Sequence, residues 1–273
     1  GVPVRLHTIA GLPWMESRGL KRLLLRQLER FTASLAHRVY PNSTGLLQFL
    51  QEQRVAPAPG KLKLLGNGSS NGIDCTYFSR DAVMPEQVAA LRQQSGLQPG
   101  GWVWIFAGRL VREKGIHELL EAFLRVHESY PNDQLWLLAA EDRQLIASHP
   151  SIHAWGFQQD VRPYFAAADV LVFPSYREGM PNVPLQAGAL ECALLLSDIN
   201  GCNEIVVHGE NGFLFPTKDS KALFRAMQQV REDEALKISF GVRSRERIQA
   251  LYGREEVWRL IEEEYRSMLR NEF

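Results

Sequence analysis

The chain has 273 residues, 45% apolar and 23% charged, enough for one large or two ordinary globular domains. Its 31 basic and 31 acidic residues cancel, so no global field draws it to nucleic acid or to an anionic surface, and any phosphate site has to be local. Three cysteines, Cys75, Cys192 and Cys202, exclude a disulfide framework and point to a reducing compartment, the cytoplasm by default.

No apolar run approaches the roughly 20 residues of a membrane-spanning helix, and Gly1 to Leu6 lacks the regions of a signal peptide. The alternation Val2, Val4, Leu6 predicts a strand almost at once, as if the chain entered a sheet midway; with no initiator methionine, a missing first part of an N-terminal domain is expected. After a turn at Gly11 to Trp14 comes a helix whose apolar set, Leu20, Leu23, Leu24, Leu28, Phe31 and Leu35, follows the 3.6 period. Arg18, Lys21, Arg22, Arg26 and Arg30 occupy its other face. A strand at Arg38 to Tyr40, a helix from Thr44 to Gln53 and a strand at Leu62 to Leu65 follow. The run Gly66 to Gly72 reads as a domain junction.

Beyond a helix at Pro85 to Ser95, strands and helices alternate as stacked βαβ units. Strands are predicted at 102–107, 134–139, 152–155, 170–173, 194–197 and 213–215. Helices are predicted near 115–129, 161–168, 182–192 and 203–208, with three more from Ser220 onward. Apolar strands without alternation imply a parallel sheet covered on both faces, whose ligands bind at the carboxyl ends of the strands.

Two strand ends carry the chemistry. Phe106 to Gly115 joins a glycine turn, Arg109, Lys114 and a helix start, a set able to hold a diphosphate; the plain alternative is a solvated basic turn. Pro174 to Gln186 sets Glu178 before a Gly-Met-Pro turn and a helix start, where a carboxylate accepts sugar hydroxyls and free amides donate to them. For Glu178 alone, the alternative is a surface charge near a turn.

Together these segments, Gly-Arg-Leu-x-x-Glu-Lys-Gly and then Ser-x-x-Glu-Gly-x-Pro-Asn-Val with Ala-Gly-Ala, resemble the retaining glycosyltransferase family 4 of the GT-B fold. The resemblance covers essentially the whole chain, the text Gly66 to Asp74 included, and is closest to bacterial enzymes of capsular, exopolysaccharide or glycan-lipid synthesis. It implies an α/β fold: a partial N-terminal Rossmann-like domain (1–66), a C-terminal nucleotide-sugar-binding domain with a parallel sheet (67–252), and a last helix (253–273) crossing back to the first domain. It also implies that Gly108, Arg109 and Lys114 bind the donor diphosphate and that Glu178 contacts the transferred sugar. Gly179, Met180, Pro181, Asn182 and Val183 would hold sugar hydroxyls through their amides, Phe157 would join the donor site, and His7 would face the sugar from the acceptor side.

The family's second glutamate, at the ribose, is here Gln186, which keeps a hydrogen bond but loses charge assistance. Glu191-Cys192-Ala193 replaces a Gly-x-Pro turn, predicting a longer helix or a looser turn there. Ala140-Glu141-Asp142 predicts a short loop near the nucleotide. No Asp-x-Asp motif or zinc spacing is present, so no metal or cofactor is expected and the nucleotide sugar is a substrate. The implied reaction moves a sugar, UDP-linked by expectation, to a hydroxyl of a glycan or lipid-linked glycan. The alternatives are a truncated or non-catalytic donor-binding module, or an epimerase of the same fold. For the basic helix two readings stand: packing into the core with a solvated basic face, or peripheral contact with an anionic membrane.

Overall fold

The computed structural model describes residues 2, 4–15, 17–139 and 149–270. The chain divides into two compact units. One holds Gly1–Gly72, Glu178–Met180 and Leu251–Phe273; the other holds Ile73–Arg177 and Pro181–Ala250.

In the first unit, strands β1 (Leu6–Ile9) and β2 (Arg38–Pro41) pair in parallel, with His7 opposite Val39. Helix α1 (Gly19–Leu35) makes the crossover between them, and α2 (Thr44–Glu52) follows, its amino end capped by the Ser43 hydroxyl, which accepts from the Leu46 amide at 3.3 Å. Three expectations fail here. The first strand begins at Leu6, not Val2. Leu62 to Leu65 is no strand but a single bridge from Leu62 to Val39. Helix α1 does not bury its apolar set: Leu20, Leu23, Leu24, Leu28, Phe31 and Leu35 are all 50–70% exposed. The opposite face meets the protein instead. Ala33 is buried there, and Arg26 and Arg30 donate to the carbonyls of Gln53 and Arg54 that close α2.

The second unit opens with α3 (Pro85–Gln94) and continues as β3 (Val103–Ala107), α4 (Ile116–Ser129), β4 (Gln134–Leu138), β5 (Ile152–Ala154), α5 (Arg162–Ala167) and β6 (Val170–Phe173). It ends with α6 (Asn182–Ala189), β7 (Ala193–Ser197), α7 (Cys202–Ile205), β8 (Gly212–Phe215), α8 (Ser220–Arg231) and α9 (Glu234–Tyr252). The six strands are all parallel, in the order β5-β4-β3-β6-β7-β8. Every residue of β3, β4, β6 and β7 is buried, as a sheet clad on both faces requires. Helix α4 buries Ile116, Leu119, Ala122, Phe123 and Val126 against one face, beside Leu223, Met227 and Val230 of α8.

One ionic cluster closes the amino end of this sheet. Asp133, fully buried, accepts from the Trp102 amide (2.9 Å), the Trp104 indole (3.0 Å) and the Arg231 guanidinium (2.9 Å). The turn after α6 does not extend the helix as one of the two expectations had it. The helix stops at Ala189, Glu191 takes the left-handed conformation (φ 59°), and its carboxylate lies 3.6 Å from Arg80 and 3.7 Å from Arg245.

Helix α10 (Arg254–Arg270) belongs to the first unit. Its buried Glu264 accepts from the Tyr40 hydroxyl at 3.0 Å and pairs with Lys63; burial, with the carboxylate beside it, pushes the tyrosine pKa upward.

Candidate donor site

Counted within its own unit, the six-stranded sheet has the order 3-2-1-4-5-6, so the winding direction reverses between β3 and β6. A crevice opens at the carboxyl ends of two strands where their connections leave in opposite directions. The two segments singled out in the sequence are the loops leaving these two strands.

The structure binds the loops to each other. After β3, residues Arg112–Lys114 form one 3-10 turn that ends at Gly115, in the left-handed conformation (φ 70°), where α4 begins. A Cβ on Gly115 would stand 2.9 Å from the Pro174 carbonyl carbon and nearer still to its oxygen, so only glycine lets the start of α4 touch the end of β6. The Tyr176 amide donates to the Glu113 carbonyl at 2.9 Å, and its hydroxyl donates to Glu118 of α4 at 2.6 Å. Burial, then the Glu118 carboxylate, pushes the Tyr176 pKa up to about 12, so the phenol keeps its proton and this bond.

Arg109 is exposed and Lys114 half-buried, with its ammonium 5.5 Å from the centre of the Phe173 ring at the end of β6. Helix α6 begins at Asn182, and Gln186 lies half-buried one turn on. Thus Gly108, Arg109, Lys114, Pro181, Asn182, Val183 and Gln186 share the second unit, at the switch point. Phe157 follows β5, with β4 between it and β3, and its ring is 76% exposed.

Glu178, Gly179 and Met180 group with the first unit. A Cβ on Gly179 would lie 2.7 Å from the Asn42 side-chain oxygen and closer to the Ala10 carbonyl oxygen just beyond β1. His7 lies on β1, its Nε2 2.8 Å from Glu29 of α1, an ion pair whenever the ring is protonated. Ala140-Glu141-Asp142 lies outside the described residues.

Two contributors, Tyr176 and Lys218, escaped sequence reasoning, and a third, Ser175, stood in the motif without a role. Tyr176 ties the loops together. Lys218, after β8, brings a further cation, its ammonium 4.7 Å from the centre of the Tyr176 ring. Ser175 is fully buried, and its hydroxyl has no hydrogen-bond partner among the described residues. Ser175 and Tyr176 lie just before Glu178 within the matched segment, so adjacency was the available signal; Lys218 is far away in sequence and left none.

The sequence profile described as Glycosyl transferases group 1 matches residues 102–233, the stretch from β3 into the turn after α8. Residues 102–233 belong to the glycosyl transferases group 1 family. Among curated relatives of this glycosyltransferase domain, the capsular polysaccharide biosynthesis glycosyltransferase CapM of Staphylococcus aureus is 27% identical over 277 residues, 98% of this chain and 71% of CapM. The lipopolysaccharide core biosynthesis glycosyltransferase LpsE of Rhizobium meliloti is 30% identical over 158 residues, 55% of this chain and 45% of LpsE. Among solved structures, Anabaena HepE in complex with UDP and glucose superposes with a TM-score of 0.82 at 19% identity, covering 96% of this chain and 71% of HepE. That likeness shows the GT-B fold, α/β with parallel sheets.

Among the described residues, no group of three His, Cys, Asp or Glu side chains is arranged to hold a metal ion, and no helix is long and apolar enough to cross a membrane. No disulfide joins Cys75, Cys192 or Cys202.

Proposed function

We propose that this chain transfers a sugar from a UDP-linked donor to a hydroxyl of a glycan or lipid-linked glycan in surface polysaccharide synthesis, with the anomeric configuration retained. The observation that carries the reading is the lacing of the β3 and β6 loops at the switch point, since these loops bear Arg109 and Lys114 and lead into the amino end of α6. UDP in HepE and the polysaccharide roles of CapM and LpsE favour the nucleotide and the setting.

As the bond from the anomeric carbon to the phosphate oxygen breaks, negative charge grows on the departing diphosphate. Arg109 and Lys114 stabilise that charge where it develops, together with the amides opening α4 and α6. The residual positive charge on the sugar is oxocarbenium-like. The acceptor hydroxyl attacks from the side of the leaving phosphate and passes its proton to the phosphate oxygen, so configuration is retained without a covalent enzyme intermediate. Glu178 accepts sugar hydroxyls, and the Gly179 to Val183 amides donate to others. Gln186 hydrogen-bonds the ribose, Phe157 joins the donor site, and His7, oriented by Glu29, faces the acceptor side. The donor is a substrate, and no cofactor is assigned.

Calorimetric titration with UDP, and transfer assays with UDP-sugars and a lipid-linked glycan, test the reading. Lys114→Ala should lose turnover by about a hundredfold while melting like the parent. Undiminished transfer by that variant would refute the assignment. UDP binding without transfer to any acceptor would favour a donor-binding module, and sugar isomerisation without acceptor an epimerase.

A further inference from the structure

Among the described residues, few other than glycine hold a left-handed backbone, and Lys218 is one of them, at φ 60°. It stands in the turn joining β8 to α8, directly before Asp219, whose carboxylate caps α8 by accepting from the Ala222 amide at 2.8 Å. Gly115 and Gly209, at φ 70° and 81°, show the residue that such a backbone ordinarily selects. Lys218 is exposed, and its ammonium lies over the Tyr176 ring, 4.7 Å from the centre. An exposed cation over a ring contributes less to stability than a left-handed backbone costs a residue with a Cβ, so stability does not account for a lysine here. Strain kept beside a candidate site points to a task for the side chain that bears it.

The partner of Lys218 shows what the task is. The Tyr176 amide donates to the Glu113 carbonyl at 2.9 Å, its hydroxyl donates to Glu118 in the first turn of α4 at 2.6 Å, and Arg112 hydrogen-bonds the same hydroxyl. Arg112, Glu113 and Lys114 are the three residues of one 3-10 turn. The backbone and the tip of Tyr176 thus grip the turn that carries Lys114, while the ring face receives a cation from the far side of the sheet order, with β7 between β6 and β8. Three separate connections, those after β3, β6 and β8, meet on this one ring.

We infer that Lys218 is a positioning residue: by holding the ring of Tyr176 from the β8 connection, it fixes the turn that bears Lys114, and with it the cation that faces the departing diphosphate. The inference rests on the proposed donor site and adds to it a residue that touches neither donor nor acceptor.

The test is Lys218→Gly in the 273-residue chain, because glycine relieves the backbone, removes the cation and leaves the Asp219 cap in place. Its melting temperature should equal or exceed that of the parent while transfer from a UDP-sugar slows about tenfold, opposite directions that an ordinary structural contact does not give. Lys218→Arg, which keeps a cation for the ring, should recover most of the rate. In a Lys114→Ala background, Lys218→Gly should cost no further rate, since the group it positions is already gone. Amide hydrogen exchange of residues 112–118 should quicken in Lys218→Gly, a readout that needs no turnover. A parent chain that neither binds UDP nor transfers sugar would refute the donor-site reading, and exchange in the same turn would still decide whether Lys218 holds it. Unchanged rate and unchanged exchange in Lys218→Gly would overturn the inference. So would a melting temperature that falls in step with the rate, or losses that add to those of Lys114→Ala, because Lys218 would then be a plain structural contact or a direct donor ligand.

Discussion

Gly115 is where the donor loops meet, so Gly115→Ala tests whether their contact builds the site. A Cβ there would come within 2.9 Å of the Pro174 carbonyl carbon and closer to its oxygen, on a backbone held at φ 70°. The left-handed conformation costs an alanine about 1–2 kcal/mol, and overpacking against β6 adds a similar amount, for a total of about 3 kcal/mol. For a unit of this size that is a fall in melting temperature of about 6–12 °C. Relief requires the 3-10 turn bearing Lys114 to move away from β6 by on the order of 1 Å, a displacement that costs a positioned group about a hundredfold in rate. Differential scanning calorimetry and a transfer assay read these two effects, and UDP titration on the same sample reads whether the displaced turn still binds. Gly209→Ala is the control, since Gly209 shares the left-handed backbone (φ 81°) but a Cβ there meets nothing within 4 Å. It should lose about 1–2 kcal/mol and keep UDP affinity. If Gly115→Ala binds UDP like the parent, or if the two variants behave alike, the contact does not organise the site.

Asp133→Ala should destabilise the second unit by about 4 kcal/mol in urea unfolding, because it leaves Arg231 and two indole-bearing residues without their buried acceptor; Asp133→Asn, which keeps an oxygen, should lose less. A loss below about 1 kcal/mol for alanine would show the cluster to be dispensable. Gln186→Ala should weaken UDP binding about fivefold and Gln186→Glu should strengthen it; equal affinity for alanine and glutamine removes Gln186 from the ribose. Burial holds the His153 pKa below its ordinary value of 6.5, so the unfolded chain takes up its proton first. Stability should therefore be level above that pH, fall as pH drops from there to the folded pKa, and level off below it. His153→Phe should flatten that slope in acid titration followed by tryptophan fluorescence, and an unchanged slope would assign it to other groups. Cys192 and Cys202 are fully buried, and burial pushes the Cys192 thiol up to about 12, so a thiol reagent at neutral pH should reach them only after unfolding.

The second unit was legible because its signals are local. Runs such as Val103 to Ala107 and Leu194 to Ser197 are apolar without alternation, which only a strand buried on both faces needs, and Gly115 marks a close approach that any side chain would block. Elsewhere local signals conflicted. The 3.6 period of α1 named a helix and an apolar stripe, but not which side meets the protein. In the structure Arg26 and Arg30 lie on the side that meets the carbonyls ending α2, and the leucines on the other. Leu62 to Leu65 has a strand's composition but only one bridging partner. Glu191 meets Arg80 and Arg245, both distant in sequence, so no local signal announced these contacts.

The amino-acid order by itself determined the parallel sheet, the two strand ends rich in cations and glycine, and the family they resemble, since each depends on residues close along the chain. Tertiary structure alone decided that those ends lie on neighbouring strands at the point where the winding reverses, that Tyr176 and Lys218 join them, and that α1 faces outward. Strand order and helix orientation are settled by the competition of distant groups for the same partners, and no window of sequence contains that competition.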